Sequence, residues 1–231
     1  MKLAFIILLC SGLASAALAD VKLVQKVKTG PMMGQPAKDT VVTMYIKGQK
    51  ARSESADAKT YQLMDNTTGK VYIVNPEKKT AMVMTTEMLK QTMDMMSQLS
   101  GGGKSKPSVE KMGTSHTYNG FKCQDVKITT GANPAFGVSA VSCVSPDIDV
   151  KEFEAYKDFT QAFAKAFGVD LDGGMPGYSV HSDIKMNMMG KNIDCTSDLL
   201  SISHDKLEDS LFVLPADYAV REAKAPPVQK P

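Results

Sequence analysis

The run Thr40-Val41-Val42-Thr43-Met44-Tyr45-Ile46-Lys47-Gly48 alternates Val42, Met44 and Ile46 with Val41, Thr43, Tyr45 and Lys47, the period-two signature of a strand with one buried face. Gly48-Gln49 follows as a turn in which glycine takes positive φ, and Ala51-Arg52-Ser53-Glu54-Ser55 returns as a polar partner strand. The scheme repeats in Tyr61 to Asp65, the Asn66-Thr67-Thr68-Gly69 turn, and Lys70 to Asn75. Pro76 to Lys79 makes the next turn and Thr80 to Thr85 the next strand. Consecutive strands with tight turns predict an antiparallel meander and argue against βαβ units.

Upstream, residues 1–19 read as a signal peptide: Lys2 precedes an apolar run, and Ala17-Leu18-Ala19 before Asp20 fits a small-x-small cleavage site. The run is short for a bilayer span and no second one follows, so an exported, periplasmic or secreted protein is expected, with no integral membrane span. An acylated Cys10 is disfavoured by Leu9 at a position that calls for a small residue. Roughly 210 residues remain, enough for one core, and the expected organisation is a single domain over residues 20–222 with a disordered Pro/Lys tail at 223–231. A formal net charge of +2 with interspersed signs excludes nucleic acid as the main partner.

Downstream of the meander, Thr86 and Glu87 open a helix whose Met88, Leu89, Thr92, Met95, Met96 and Leu99 share one face. Gly101-Gly102-Gly103 ends it, and a flexible linker near residues 100–108 joins the two halves of the domain. The second half begins with strands around Val109 to Tyr118 and Phe121 to Thr129. Asp149 with Glu152 resembles a capping box for a second helix, which carries Phe153, Tyr156, Phe159, Phe163 and Phe167 over about a third of its circumference. In Tyr178 to Gly190, the residues Tyr178, Val180, Ile184, Met186 and Met188 point one way and His181, Asp183, Lys185 and Asn187 the other. Asn192 to Ser203 and Ser210 to Pro215 complete the expected strands.

With Cys10 in the leader, Cys123, Cys143 and Cys195 remain, which permits one disulfide and one spare thiol. Cys123 with Cys143, on neighbouring strand-like runs, and Cys143 with Cys195 are both open pairings. A buried apolar role for the spare thiol outweighs a nucleophilic one.

The order of these motifs carries a resemblance. Tyr45 to Arg52, the Asp65 to Tyr72 hairpin, Asn75-Pro76 with Lys79, Gly120-Phe121-Lys122-Cys123, and Phe212-Val213-Leu214-Pro215 with Tyr218 resemble an uncharacterised family of secreted bacterial domains. That family is similar to the periplasmic lipoprotein-carrier superfamily of LolA, LolB and RseB-like proteins. The resemblance implies an α+β fold: a strongly curved antiparallel sheet, an unclosed β-barrel, with amphipathic helices packed in its concave face. It also implies an apolar ligand, a lipid or lipoprotein acyl chain, between sheet and helices.

The candidate lining of that cavity is Met44, Ile46, Met82, Met84, Met88, Met95, Phe153, Phe159, Phe163, Val180, Ile184, Met186 and Met188. An alternative is a sensor or interaction module with a packed interior that binds an envelope protein. Methionine is abundant, at 16 residues, and Met82, Met84, Met93, Met95 and Met96 offer thioethers to Cu(I); methionine as pliable core or groove filler is the stronger reading. His116, His181 and His204 lack ligand spacing, and no nucleophile elbow, phosphate-binding glycine loop or CxxC is present, so neither enzyme activity nor a cofactor or metal is expected.

Overall fold

A computed structural model describes residues 20–31, 36–85, 87, 88, 91, 108–129, 136–148, 177–188 and 190–223. The strands are β1 (Val21–Thr29), β2 (Lys38–Lys47), β3 (Lys50–Ser55), β4 (Tyr61–Asp65), β5 (Lys70–Asn75), β6 (Thr80–Thr85), β7 (Ser108–Tyr118), β8 (Phe121–Thr129), β9 (Phe136–Ser145), β10 (Tyr178–Met188), β11 (Lys191–Ser203) and β12 (Ala219–Glu222). They form one 12-stranded sheet in the order β12-β6-β5-β4-β3-β2-β1-β11-β10-β9-β8-β7, open at both ends. Each neighbouring pair is antiparallel except β12 with β6, which is parallel.

The expected meander is β2 to β6, and its register carries the apolar face from strand to strand. Val21 pairs with Ile46, Ile46 with Ala51, Ala51 with Met64, Met64 with Val71, and Val71 with Met84. A one-residue slip in any pair would turn these side chains to the other face. The two halves of the chain are not joined through the glycine linker alone: β1 pairs with β2 on one side and β11 on the other. Val21 and Leu23 of β1 are fully buried, so the strand nearest the expected leader is a central strand of the sheet.

The sheet is strongly curved. β7 and β10 are three strands apart in the order, about 14 Å in a flat sheet, yet the Tyr118 and His181 rings stack with centroids 4.1 Å apart. One strand further, the Asn119 side-chain amide donates to the Leu199 carbonyl at 2.8 Å. Asn119 and Gly120 both take positive φ, as a two-residue hairpin turn of matching twist requires, and this turn is what carries the β7–β8 tip over the sheet. Register breaks at Val24/Gln25 in β1 and at Ser179/His181 in β10 supply extra twist. The break in β10 also overturns part of the expected alternation. Tyr178 pairs with Ser145 and His181 with Cys143, so three steps on one strand match two on the other.

Three apolar clusters follow. The main one unites Val21, Leu23, Met44, Ile46, Ala51, Met64, Val71, Val180 and Leu199 with Cys123, Cys143 and Ile148. A second, of Val126, Ile128, Ala140 and Val144, lies on the opposite face of the β8–β9 hairpin from the cysteines. The third, of Leu63, Val74 and Ala81, sits on the outer face of β4 to β6, against Tyr61, Tyr72, Leu214 and Tyr218. The expected strand over Ser210 to Pro215 is instead a 3-10 helix, Asp209–Phe212, with an irregular exit; it buries Phe212 within a strap that leads into β12.

Of the two expected helices, only the start of the first is described, with Glu87, Met88 and Gln91 helical. The Thr85 hydroxyl accepts the Met88 N–H at 3.1 Å, the bond of a helix cap, while Thr86, the expected cap, lies outside the described residues. The rest of that helix, the linker over residues 101–107, the phenylalanine-bearing segment, the leader and the tail from residue 224 lie outside the described residues.

Candidate functional site

The main apolar face is the feature around which a site can be built. Leu23 on β1, Met44 and Ile46 on β2, Met64 on β4 and Val71 on β5 lie on one side by register, each 4% exposed or less. Met84, Tyr118, Phe121, Tyr178 and Ile202 pack against the same cluster and are only partly buried. Burying a side chain the size of Leu23 or Ile46 contributes about 1.5–3 kcal/mol, so this face is a principal source of stability as well as a surface for apolar contact.

The predicted lining residues divide. Met44, Ile46 and Val180 belong to the main cluster and Met84 packs on it. Ile184 packs against the second cluster. Met186 borders an open groove of about 440 Å³ at the end of β10, with Val138, Lys185, Asn187, Asn192 and Asp194. Met82, 41% exposed, pairs with Arg221 of the edge strand β12 and, two residues before Met84, shares its face of β6. Met88 is half-buried at the start of the helix, and Met188 closes β10. Met95, Phe153, Phe159 and Phe163 lie outside the described residues.

Cys123 and Cys143 form a disulfide, and Cys195 is a buried free thiol. Both bridged cysteines belong to the main cluster, so the cross-link sits within its apolar wall. Beyond Cys143 on the same side of β9, Ser145 is fully buried and its hydroxyl has no hydrogen-bond partner among the described residues. Gly177 presses against it: a Cβ at Gly177 would lie 2.0 Å from the Ser145 carbonyl oxygen. Tyr178, the register partner of Ser145, accepts a hydrogen bond from the Gln25 side chain at 2.7 Å. Neither polar feature was visible in sequence, because each joins residues distant along the chain.

A polar constellation lies next to this region. The His181 ring faces Asp198 through Nδ1 at 2.6 Å and Asp183 through Nε2 at 3.4 Å, with the Tyr118 hydroxyl at 3.4 Å. His116 similarly meets Asp125, which also accepts from Thr114. These partners are carboxylates, a phenol and a structural hydroxyl, and neighbouring Ser142, Ser179 and Ser182 bond to one another. The arrangement ties β7, β10 and β11 together. Among the described residues no group of three His, Cys, Asp or Glu side chains could hold a metal ion.

The outer face is held by the C-terminal strap. Lys47 reaches Asp209 at 2.8 Å, Asp20 at 3.5 Å and the Leu207 carbonyl at 2.7 Å. Hydrogen bonding to Asp209 raises the Lys47 ammonium above its ordinary value, and Lys47 in turn holds the Asp209 carboxyl below its own. Asp20 accepts the Leu207 N–H at 2.7 Å. Arg52 stacks on Tyr61 at 3.9 Å, pairs with Glu54 at 2.9 Å and borders an open pocket of about 310 Å³. Tyr45 donates to Glu54, and burial first, then this carboxylate, raise its phenol.

The family described as Domain of unknown function (DUF4412) matches residues 31–218. No curated protein matches the sequence. Among solved structures, PNGF-II in a C2 crystal form is 11% identical with a TM-score of 0.41, over 90% of this chain; the present chain spans only 31% of that one. An uncharacterized conserved protein from Thermus thermophilus is 5% identical with a TM-score of 0.48, covering 89% of this chain and 91% of its own. The LolA superfamily protein NE2245 from Nitrosomonas europaea is 8% identical with a TM-score of 0.35, over 85% and 90% of the two chains.

Proposed function

We propose that this chain, which belongs to the DUF4412 family of domains of unknown function, is an exported protein that holds or carries an apolar ligand, a lipid or a lipoprotein acyl chain, along the inner face of its curved sheet. One observation carries the reading: a continuous apolar face that runs by register through Val21, Ile46, Ala51, Met64, Val71 and Met84, with methionines as its adaptable members. Curvature turns that face inward, and an acyl chain laid on it gains roughly 0.8 kcal/mol per buried methylene. The reading requires no chemical step and no cofactor.

Export is supported where the fold begins. Asp20 and Val21, which directly follow the expected cleavage site, are both held in the fold, Asp20 by its bond to the strap and Val21 by full burial, and this suits an exported chain trimmed after residue 19. Among the described residues no helix is long and apolar enough to cross a membrane.

A second reading has its own observation. The main cluster is close to fully buried, which suits a packed scaffold that recognises an envelope protein through its surface and carries no small ligand. Native mass spectrometry of the protein purified from an envelope fraction, followed by lipid extraction, separates the two. Near-stoichiometric acyl species support the carrier; an apo mass that gains nothing on addition of fatty acid or phospholipid removes it in favour of the scaffold.

A further inference from the structure

Ser145 lies two residues beyond Cys143, on the side of β9 that Cys143 turns to the main cluster. Its hydroxyl is fully buried and has no partner among the described residues, in a setting where an unmet polar group costs about 1–3 kcal/mol. Cys143 and Ile148 on either side of it both belong to the cluster, and Tyr178, its register partner, packs on it. The nearby polar pair, Tyr178 with Gln25, is satisfied internally. By contrast, the other buried serines, Ser142 and Ser182, bond to each other. A hydroxyl of this kind is stabilised once a partner with an acceptor enters the cluster.

We infer that Ser145 is the polar anchor of the apolar site: its Oγ–H donates to the carbonyl oxygen of an acyl ester or acyl amide whose hydrocarbon lies along the face of Leu23, Met44 and Met84. This rests on the proposed carrier function and refines it, since it selects neutral acyl carbonyl compounds over plain hydrocarbon. A hydroxyl is a neutral donor, which matches an ester or amide carbonyl without the desolvation cost of burying a carboxylate. Gly177 has a role here too, because any side chain at that position would collide with the Ser145 backbone.

The test uses the full exported chain and three C16 probes: methyl palmitate, N-methyl palmitamide and hexadecane, each competed against a fluorescent acyl reporter. The wild type is expected to prefer the two carbonyl probes over hexadecane by roughly fivefold to tenfold, the worth of one buried hydrogen bond. Ser145→Ala removes that preference, leaves hexadecane binding unchanged, and melts at or above the wild-type temperature because an unpaired buried hydroxyl is gone. Should Ser145→Ala fail to fold, Ser145→Cys, a near-isosteric weak donor, is expected to fold and lose most of the preference. A preference for ester but not amide assigns the ligand to glycerolipids; preference for both includes N-acylated lipoproteins. Equal affinity of wild type for carbonyl and hydrocarbon probes, or an unchanged preference in Ser145→Ala, overturns the anchor while leaving the carrier intact. Failure of all three probes to bind wild type overturns both.

Discussion

Removing the Cys123–Cys143 cross-link tests whether the wall of the apolar site is held as described. The sequence separation is 20, so the bridge closes a loop of about 21 residues; the loop-entropy relation then gives about 3.3 kcal/mol of stabilisation at 25 °C. For a domain of this size each kcal/mol moves the melting temperature by about 2–4 °C, so the double variant Cys123→Ala/Cys143→Ala is expected to melt about 7–13 °C lower. Both sulfurs are buried in the main cluster, and the lost packing adds to this figure. Urea unfolding followed by circular dichroism gives the free-energy difference, with a larger m-value because the unlinked chain exposes more surface. Tryptic mapping of the wild type without reduction is to be run alongside. A loss below about 1 kcal/mol, or a peptide linking Cys143 to Cys195, would refute the reasoning.

Further outcomes follow from other parts of the sheet. Met84→Asp is expected to weaken an acyl probe tenfold or more, since one methionine contact is worth about 1.5–3 kcal/mol, whereas Val220→Asp on the edge strand β12, which pairs with Ala81 of the outer face, leaves binding within about twofold; equal effects measured by probe competition would displace the site from the main face. Phe212→Ala should cost about 3 kcal/mol and speed amide exchange in β12 and β6, because Phe212 is the buried residue of the strap's 3-10 helix; unchanged exchange at β6 would show that the strap holds by other contacts. At Asp65, burial acts to raise the carboxyl, but bonds from the Thr67 hydroxyl and the Thr67 and Thr68 N–H groups outweigh it and hold the group below its ordinary value. That stabilisation is complete above the ordinary carboxylate range and is lost as pH falls through the lowered value. Thermal melts of Asp65→Ala should therefore show a deficit of about 1 kcal/mol at pH 7 that shrinks below about pH 4; a deficit that grows on acidification would reverse the assignment.

Much of the meander was legible because its information is local. Alternation through Val42, Met44 and Ile46, with turns at Gly48 and Asn66 to Gly69, specifies strands and register within a few residues. The same local logic failed at Ser210 to Pro215, where apolar residues that look like a strand serve a strap whose shape is set by the outer face of β4 to β6. It failed again at Tyr178 to His181, where one extra residue opposite Cys143 and Ser145 breaks the alternation. Of the candidate lining, Met44, Ile46, Met84 and Val180 meet in or on one cluster, while Ile184 and Met186 are carried elsewhere by the twist.

By itself, the amino-acid order determined the β-rich character of the chain, the meander from β2 to β6 and the apolar face along it, because hydrophobic period and turn chemistry act between near neighbours. Only the tertiary structure decided that β1 joins the two halves, that Cys123 bonds Cys143 and leaves Cys195 free, and that Ser145 is buried with no partner among the described residues. Those outcomes depend on which distant strands become neighbours and how far the sheet curls, and pairing across long separations leaves no periodic trace in the order of residues.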